Sequence, residues 1–286
     1  MSINNIDEKE IRYQISQIKE IPPLPRSLQR LIEIIHNEVE SPEELESIIR
    51  YDQALTAKVL RVANSTYYGC RGKVKTVSKA IVIIGLNQVK SICLCSLLMS
   101  MLSIGPELGD ADREHLWKHA FTTSKIAAEM SKKRPWMNRE EASILGLVHD
   151  IGRLVMAMYF NEQYRAIKEI ASKRKAPPWC VEMQLGLTHT QLGRYLASRW
   201  VFPDLFRAVI EFHHSPGNSK SFKTEVRLIY LANVLSNSSE YPELLTDEAT
   251  LSYCRDLYIS EEEWQEYQDS LAFIRPEVNQ LWNLLG

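Results

Sequence analysis

Apolar residues in this chain recur at helical spacing almost from end to end, and no segment shows the convincing period-2 alternation of a half-buried strand. After IPPLP, the residues Leu24, Leu28, Leu31, Ile32 and Ile35 fall on one helical face. Ser41-Pro-Glu-Glu44 reads as a capping box with Pro at the first helical position, so a helix starts there and buries Leu45, Ile48 and Ile49. Asp52 can cap a third helix carrying Leu55, Val59, Leu60 and Ala63, which stops at the Tyr-Tyr-Gly of 67–69. A loop at 70–75 leads to a helix near Thr76, interrupted at Gly85-Leu-Asn87 and followed by a long apolar helix. VKTV at 74–77 is the nearest thing to a strand and is too short. Further helices are expected at 112–132, 139–158, 161–174, 179–198, 203–213, 224–237 and 246–258, and Ser260-x-x-Glu263 caps one more. The fold class is all-α.

Composition narrows the partners. Across 286 residues, 34 Lys plus Arg against 36 Asp plus Glu give a formal charge of −2, which offers no electrostatic case for nucleic acid or an anionic membrane. Five Cys (70, 93, 95, 180, 254) with no CxxC spacing argue against a disulfide scaffold or zinc knuckle and for a reducing, cytoplasmic compartment. The opening MSINNIDEKEIRYQ has no apolar core of a signal peptide, and the apolar run Ile92 to Ile104 is too short to span a bilayer. A soluble, cytoplasmic chain is expected.

Six of the seven His lie after residue 114. His115 and His119 share one face of an expected helix at i, i+4 spacing. His149-Asp150 follows the apolar run ASILGLV, His189 lies in LTHTQLG, and His213-His214 end the apolar helix around LFRAVIEF. Apolar runs carry such doublets inward, and buried ionisable groups need partners or a metal. Imidazoles and carboxylates gathered from several helices suit Zn, Mn, Fe or Ni. Hydrogen-bonded His without a metal is the other reading of the same spacing.

These residues carry a resemblance. HDIGR at 149–153, preceded by a helix with His119, is similar to the HD superfamily of metal-dependent phosphohydrolases. IPPLPRSLQRLIEII (21–35), IIRYDQALTAKVLRVANSTYYG (48–69) and VSKAIVIIGLNQVKSI (77–92) resemble the HDOD domain, an HD-related output domain of bacterial signalling proteins. Asp52, Leu55, Ala63-Asn64-Ser65, Gly69, Ala80 and Ile84-Gly85 stand where that pattern expects them, and the likeness runs over roughly residues 15–240.

The resemblance implies an N-terminal helical subdomain packed on an HD-like helical bundle. It divides the chain into a 1–14 extension, a 15–104 subdomain, a 105–240 HD-like subdomain and a 241–286 helical extension, with GPELGDAD (105–112) as the boundary. It also implies a regulatory role, with a signalling protein or a phosphorylated small ligand such as a nucleotide as partner, and no nucleic acid or membrane. By position, the metal ligands of related HD-GYP phosphodiesterases fall on His119, His149, Asp150, His189, His213 and His214, with His115 and Asn233 as further candidates. The metal implied is Fe, Ni, Mn or Zn.

This sequence departs from that pattern. His115 replaces a Glu, Asn233 an Asp and Arg153 a Lys, and SPGNSKSF stands where the GYP segment is expected. Lost carboxylates weaken a site for hard ions and leave no evident general base. Metal binding without turnover is therefore expected, with no catalytic residue. The alternative is a metal-dependent phosphodiesterase, possibly acting on a cyclic dinucleotide, in which Asp150 and Arg153 carry the chemistry. Arg71-Gly-Lys73-Val-Lys75 reads as a solvated loop, and Asn64-Ser65 as a structural turn with the Asn in a left-handed conformation.

Overall fold

The computed structural model describes residues 24–36, 41–66, 68, 73–102 and 109–285. The expected 1–14 extension, the opening IPP of 21–23, Tyr67, Gly69–Gly72 and residues 105–108 of the expected boundary lie outside them. Among the described residues there is no strand, and the fold is all-α. The chain divides into two compact units, described separately below: Leu24–Ile104 with Gly109–Leu147 and Tyr267–Gly286, and a central unit whose described part is Val148–Glu266. By this division the helices on both sides of 105–112 fall in one unit.

The first unit holds α1 (Arg26–His36), α2 (Pro42–Tyr51), α3 (Gln53–Ala63), α4 (Val77–Ile84), α5 (Leu86–Leu102), α6 (Asp110–Ser131), most of α7 (Arg139–Val148) and the second part of α15 (Glu261–Leu285). Its helix starts follow the capping residues in the sequence. Ser41 Oγ accepts from Glu44 N at 3.2 Å, Asp52 Oδ1 accepts from Ala54 N and Leu55 N at 3.0 Å, and Thr76 Oγ1 accepts from Lys79 N at 3.3 Å. Each such cap satisfies a donor the helix cannot, a contribution of about 1 kcal/mol. Leu28, Leu45, Ile49, Leu55, Val59 and Ile92 are buried in this unit's core. Each stabilises it by roughly 1.5–3 kcal/mol relative to exposure. Lys90 is also buried and is ion-paired with Glu140 of α7.

Asn64 is not left-handed: its φ is −91°. Its amide instead bridges to the next segment, accepting from Val74 N at 2.8 Å and donating to Val74 O at 2.9 Å. A side chain that satisfies both backbone groups of a distant residue needs no left-handed turn to be useful.

The central unit holds α8 (Gly152–Tyr159), α9 (Asn161–Arg174), α10 (Pro178–Leu185), α11 (His189–Arg199), α12 (Asp204–Phe212), α13 (Lys223–Asn237), α14 (Glu248–Asp256) and the start of α15. Leu192, Leu196, Phe206, Val209, Leu228 and Ile229 form its core. Two expected helices are divided. The 139–158 helix breaks at the turn His149-Asp150-Ile151, and the 179–198 helix breaks at Gly186-Leu-Thr188. Gly186 ends α10 at φ 80°, a conformation only Gly adopts without strain. Thr188 then opens α11 with a full capping box, its hydroxyl accepting from Gln191 N and Gln191 Oε1 accepting from Thr188 N. The signal was present as T-x-x-Q, and an unbroken apolar period across Leu185 and Leu187 hid it.

One stretch, Arg139–Tyr159, is long and apolar enough to cross a membrane, but 72% of its most apolar window is buried inside the fold. The α4–α5 pair is bent by 112° between its two apolar helices.

Candidate metal centre

The two breaks in the helices of the central unit place the polar groups. Asp150 sits in the turn between α7 and α8, and His189 is the first residue of α11. Gly152 fixes how close these elements come. A Cβ there would lie 1.8 Å from the His189 carbonyl oxygen and 2.6 Å from Gly193 N, so α8 and α11 meet backbone to backbone. Any larger residue would push His189 away from Asp150.

Four side chains converge: Asp150, His189, His213 and His214 each offer a ligand atom, all within 4.8 Å of one another. Asp150 Oδ1 lies 3.0 Å from His189 Nε2 and 3.3 Å from His213 Nε2. The two Nε2 atoms are 3.2 Å apart. His149 is fully buried beside them, its Nε2 3.7 Å from Asp150 Oδ1 and its ring edge-on to His213 at 4.8 Å between centroids.

The outer nitrogens set the tautomers. His189 Nδ1 faces Glu182 Oε2 at 2.5 Å, and the same oxygen accepts from His189 N at 2.9 Å. His213 Nδ1 donates to the carbonyls of Val209 and Ile210 at 3.2 and 3.1 Å. With both Nδ1 positions engaged by acceptors, the Nε2 lone pairs point at each other and at the Asp150 carboxylate. Such a focus of electron density needs a cation at its centre, either a proton or a metal.

The cluster fits a metal on three grounds. Ligands about 2.0–2.2 Å from a common ion are separated from each other by roughly 2.8–3.6 Å, depending on coordination number, and the contacts above lie in that range. His214 Nε2 is buried without a hydrogen-bond partner, the condition of a donor awaiting an ion. Burial, then the neighbouring His213 and His189, hold the His214 pKa well below the usual imidazole value, so it is neutral and able to ligate. The four side chains could hold a metal ion.

The charged groups around them are arranged in layers. Burial alone would raise the Asp150 pKa, but Arg153, His149 and His189 hold it well below the carboxylate range. Arg153 Nε donates to Asp150 Oδ2 at 2.7 Å, so the two oxygens of Asp150 have different tasks. Burial opposes charge on His189 as well, yet Glu182 and Asp150 raise its pKa, so it holds a proton more readily than His213 or His214. Burial lowers that of His213.

The remaining expected ligands are Asn233, His115 and His119. Asn233 is buried on α13, and its Oδ1 accepts from Asn237 Nδ2 at 2.8 Å. His115 and His119 lie on α6, in the other unit, the first exposed and the second half-buried. Two residues were missed from sequence. Glu182 is 1% exposed and orients His189, and Trp179 stacks on His214 at 4.4 Å and 18°. Glu182 is the one carboxylate in the otherwise uncharged helix PWCVEMQL, and that isolation was the available signal.

The chain belongs to the HDOD domain family, whose sequence model matches residues 21–216. An uncharacterized protein of Treponema pallidum (strain Nichols) is 25% identical over 225 residues, covering 76% of this chain. The matched region is 42% of that relative, so the chain spans less than half of its length. A solved structure from Marinobacter aquaeolei VT8, described as a signal transduction protein, superposes with a TM-score of 0.83 at 22% identity, covering 99% of this chain and 67% of that one. Another, from Shewanella amazonensis SB2B and described as a phosphohydrolase, gives 0.72 at 20% identity, covering 96% and 98%. At these identities the two structures establish the shared fold.

Proposed function

We propose that this chain is a regulatory signal-transduction module of the HDOD type that works in the cytoplasm. In this reading its central unit holds one divalent transition metal (Fe, Ni, Mn or Zn) and, on it, a phosphorylated ligand such as a nucleotide, which it binds without turnover. Bound ligand then alters how the module engages a signalling protein.

The observation that carries this reading is the contact of Arg153 Nε with Asp150 Oδ2 at 2.7 Å. Two-metal phosphodiester hydrolysis uses ions about 3.5–4 Å apart, held by shared ligands. Asp150 has one oxygen among the His nitrogens and the other under a guanidinium, so Oδ1 is the oxygen offered to an ion and a single ion suits it. Asn233, whose Oδ1 accepts from Asn237 Nδ2, carries no charge, so it can neither neutralise a second ion nor accept a proton from attacking water. Among the described residues Glu182 is the other buried carboxylate, and its hydrogen bonds go to His189, which it orients.

When bound, a divalent ion would act as a Lewis acid toward a phosphoryl oxygen. The protein groups do the rest. Asp150, Glu182 and Arg153 with a divalent ion leave one net positive charge, which an anionic ligand balances. Among the described residues Arg153 spends only Nε on Asp150, leaving its two Nη groups to meet phosphate oxygens as a planar fork. Trp179, stacked on His214, supplies an aromatic wall against which a base can lie.

The second reading, a metal-dependent phosphohydrolase, draws on the same donor cluster and on the fold shared with the Shewanella protein. One experiment separates the two. Purified chain is analysed for metal, then assayed with Mn, Fe, Ni or Zn on bis(p-nitrophenyl) phosphate and on cyclic dinucleotides, beside a His149→Ala, Asp150→Ala control. Metal bound without hydrolysis above the control supports the regulatory reading. Hydrolysis well above the control replaces it with the phosphohydrolase.

A further inference from the structure

Between Gln53 and Pro106 the sequence holds seven Lys and Arg residues and not one Asp or Glu, although the whole chain is slightly acidic. The structure of the first unit gathers part of this excess around one open groove of about 800 Å³, lined by α3, by Lys73-Val-Lys75 and by Leu284 of α15. Its floor is aliphatic, from Ala57, Leu60 and Leu284, and its rim carries Arg61, Lys73 and Lys75. All three cations are exposed, and none has an ion-pair partner among the described residues. The lining contains no carboxylate.

The rim is held in place. Val74 is buried, and the Asn64 amide fixes its N–H and carbonyl at 2.8 and 2.9 Å. Because side chains alternate along an extended segment, an inward Val74 turns both Lys73 and Lys75 outward together. Arg61 donates through Nη1 to Leu284 O at 3.3 Å, which joins the two walls. Unpaired like charges brought together on a braced loop repel one another, and a ligand of opposite charge relieves that repulsion. A solvated loop would need neither the brace nor the apolar floor.

We propose that this groove docks an acidic peptide segment of a partner protein, with aliphatic side chains on the floor and carboxylates on the Arg61–Lys73–Lys75 rim. The aliphatic floor decides for peptide over nucleic acid, because single strands are held by aromatic stacking and the described lining offers none. Helix-in-groove recognition reads such a surface with apolar anchors at i, i+4 and charges beside them. The lining residues belong to the first unit alone, and the proposal goes beyond the metal-centred reading because it stands whatever the His/Asp cluster does.

The test uses the full chain and a fluorescein-labelled helical peptide built from Glu and Leu, followed by fluorescence anisotropy. The expected result is saturable binding that weakens with added salt, that persists in excess chelator, and that falls about tenfold or more in Lys73→Glu, Lys75→Glu. The milder Lys73→Gln, Lys75→Gln variant should fall between the two, and circular dichroism melts should show both variants folded, since the altered side chains are exposed. Three results would overturn the proposal: no binding of the Glu/Leu peptide at low salt, equal binding by the charge-reversed variant, or tighter binding of an oligodeoxythymidine than of the peptide. Loss of binding in chelator would overturn it as well, by moving the contact to the metal cluster, and the metal-centred reading would survive every one of these outcomes.

Discussion

Glu182 Oε2 lies 2.5 Å from His189 Nδ1 and 2.9 Å from the same residue's backbone N, with both side chains about 1% exposed. One carboxylate oxygen thus fixes the ring, its tautomer and the first turn of α11 together. Carboxylates behind metal-bound imidazoles raise ligand basicity and hold the ring in place. Glu182→Gln keeps the size and removes the charge. Metal affinity should fall roughly 10–100-fold in a competitive chelator titration, with the far-ultraviolet spectrum unchanged. Unaltered affinity would mean that Glu182 serves packing alone.

Gly152 is the tightest backbone crossing described in the central unit. Gly152→Ala places a methyl 1.8 Å from the His189 carbonyl, and backbone cannot rotate away as a side chain would. The variant should lose at least about 1–3 kcal/mol in urea unfolding of the metal-free protein, and His189 should move out of reach of Asp150. Metal stoichiometry measured on the folded fraction should fall in parallel. Full metal loading at unchanged stability would contradict the crossing.

The metal-free cluster should be most stable near pH 6.5. Burial, and for His214 also His213 and His189, lower the folded pKa values of His213 and His214 below the ordinary 6.5. Between those values the unfolded chain binds more protons, so stability is present above pH 6.5 and is lost as the pH falls. His189 works in the opposite direction. Glu182 and Asp150 raise its folded pKa above 6.5, so its contribution is full below that pH and is lost as the pH rises through the raised value. Each group changes stability by roughly 1.4 kcal/mol per pH unit inside its own window. Urea midpoints from pH 5 to 8 in chelator will show the maximum, and His189→Gln should abolish the decline on its alkaline side.

Metal must displace the His189 proton. Since Nε2 has to be deprotonated to ligate, binding below the raised pKa of His189 should release about one proton and tighten as the pH rises. Calorimetric titration with Zn or Mn in buffers of different ionisation enthalpy measures that number. Release near zero throughout would show His189 already neutral.

The sequence showed its helices more clearly than its breaks. Ser41, Asp52 and Thr76 are local capping signals, and each marks the start of a helix in the structure. Gly186-Leu-Thr188 was harder, because apolar residues on both sides preserved one helical period through a real stop. For the site, the doublets His149-Asp150 and His213-His214 were readable because each followed an apolar run. Glu182 was not, since its partner is seven residues away across a turn whose existence had to be known first. Asn64 shows the same limit: its partner Val74 is ten residues on, and the local reading produced a left-handed turn instead.

Arg153 and Asp150 form a charge pair whose cost should depend on the metal. Arg153 is 14% and Asp150 9% exposed, and Nε donates to Oδ2 at 2.7 Å. Without metal, Arg153, His149 and His189 are the groups that hold the buried carboxylate in its ionised form. Arg153→Met then leaves Asp150 short of one of them, and removing one partner of a buried pair costs roughly 3 kcal/mol or more. With a divalent ion on the Oδ1 side, the carboxylate regains a counter-charge and the penalty should shrink. Urea unfolding of wild type and Arg153→Met, each with chelator and with saturating Zn, gives the four midpoints needed. A substantially smaller difference in Zn than in chelator shows that Arg153 and the metal compensate for each other at Asp150. Equal differences would place Arg153 outside the electrostatics of the site and would remove the single-ion argument built on its hold over Oδ2.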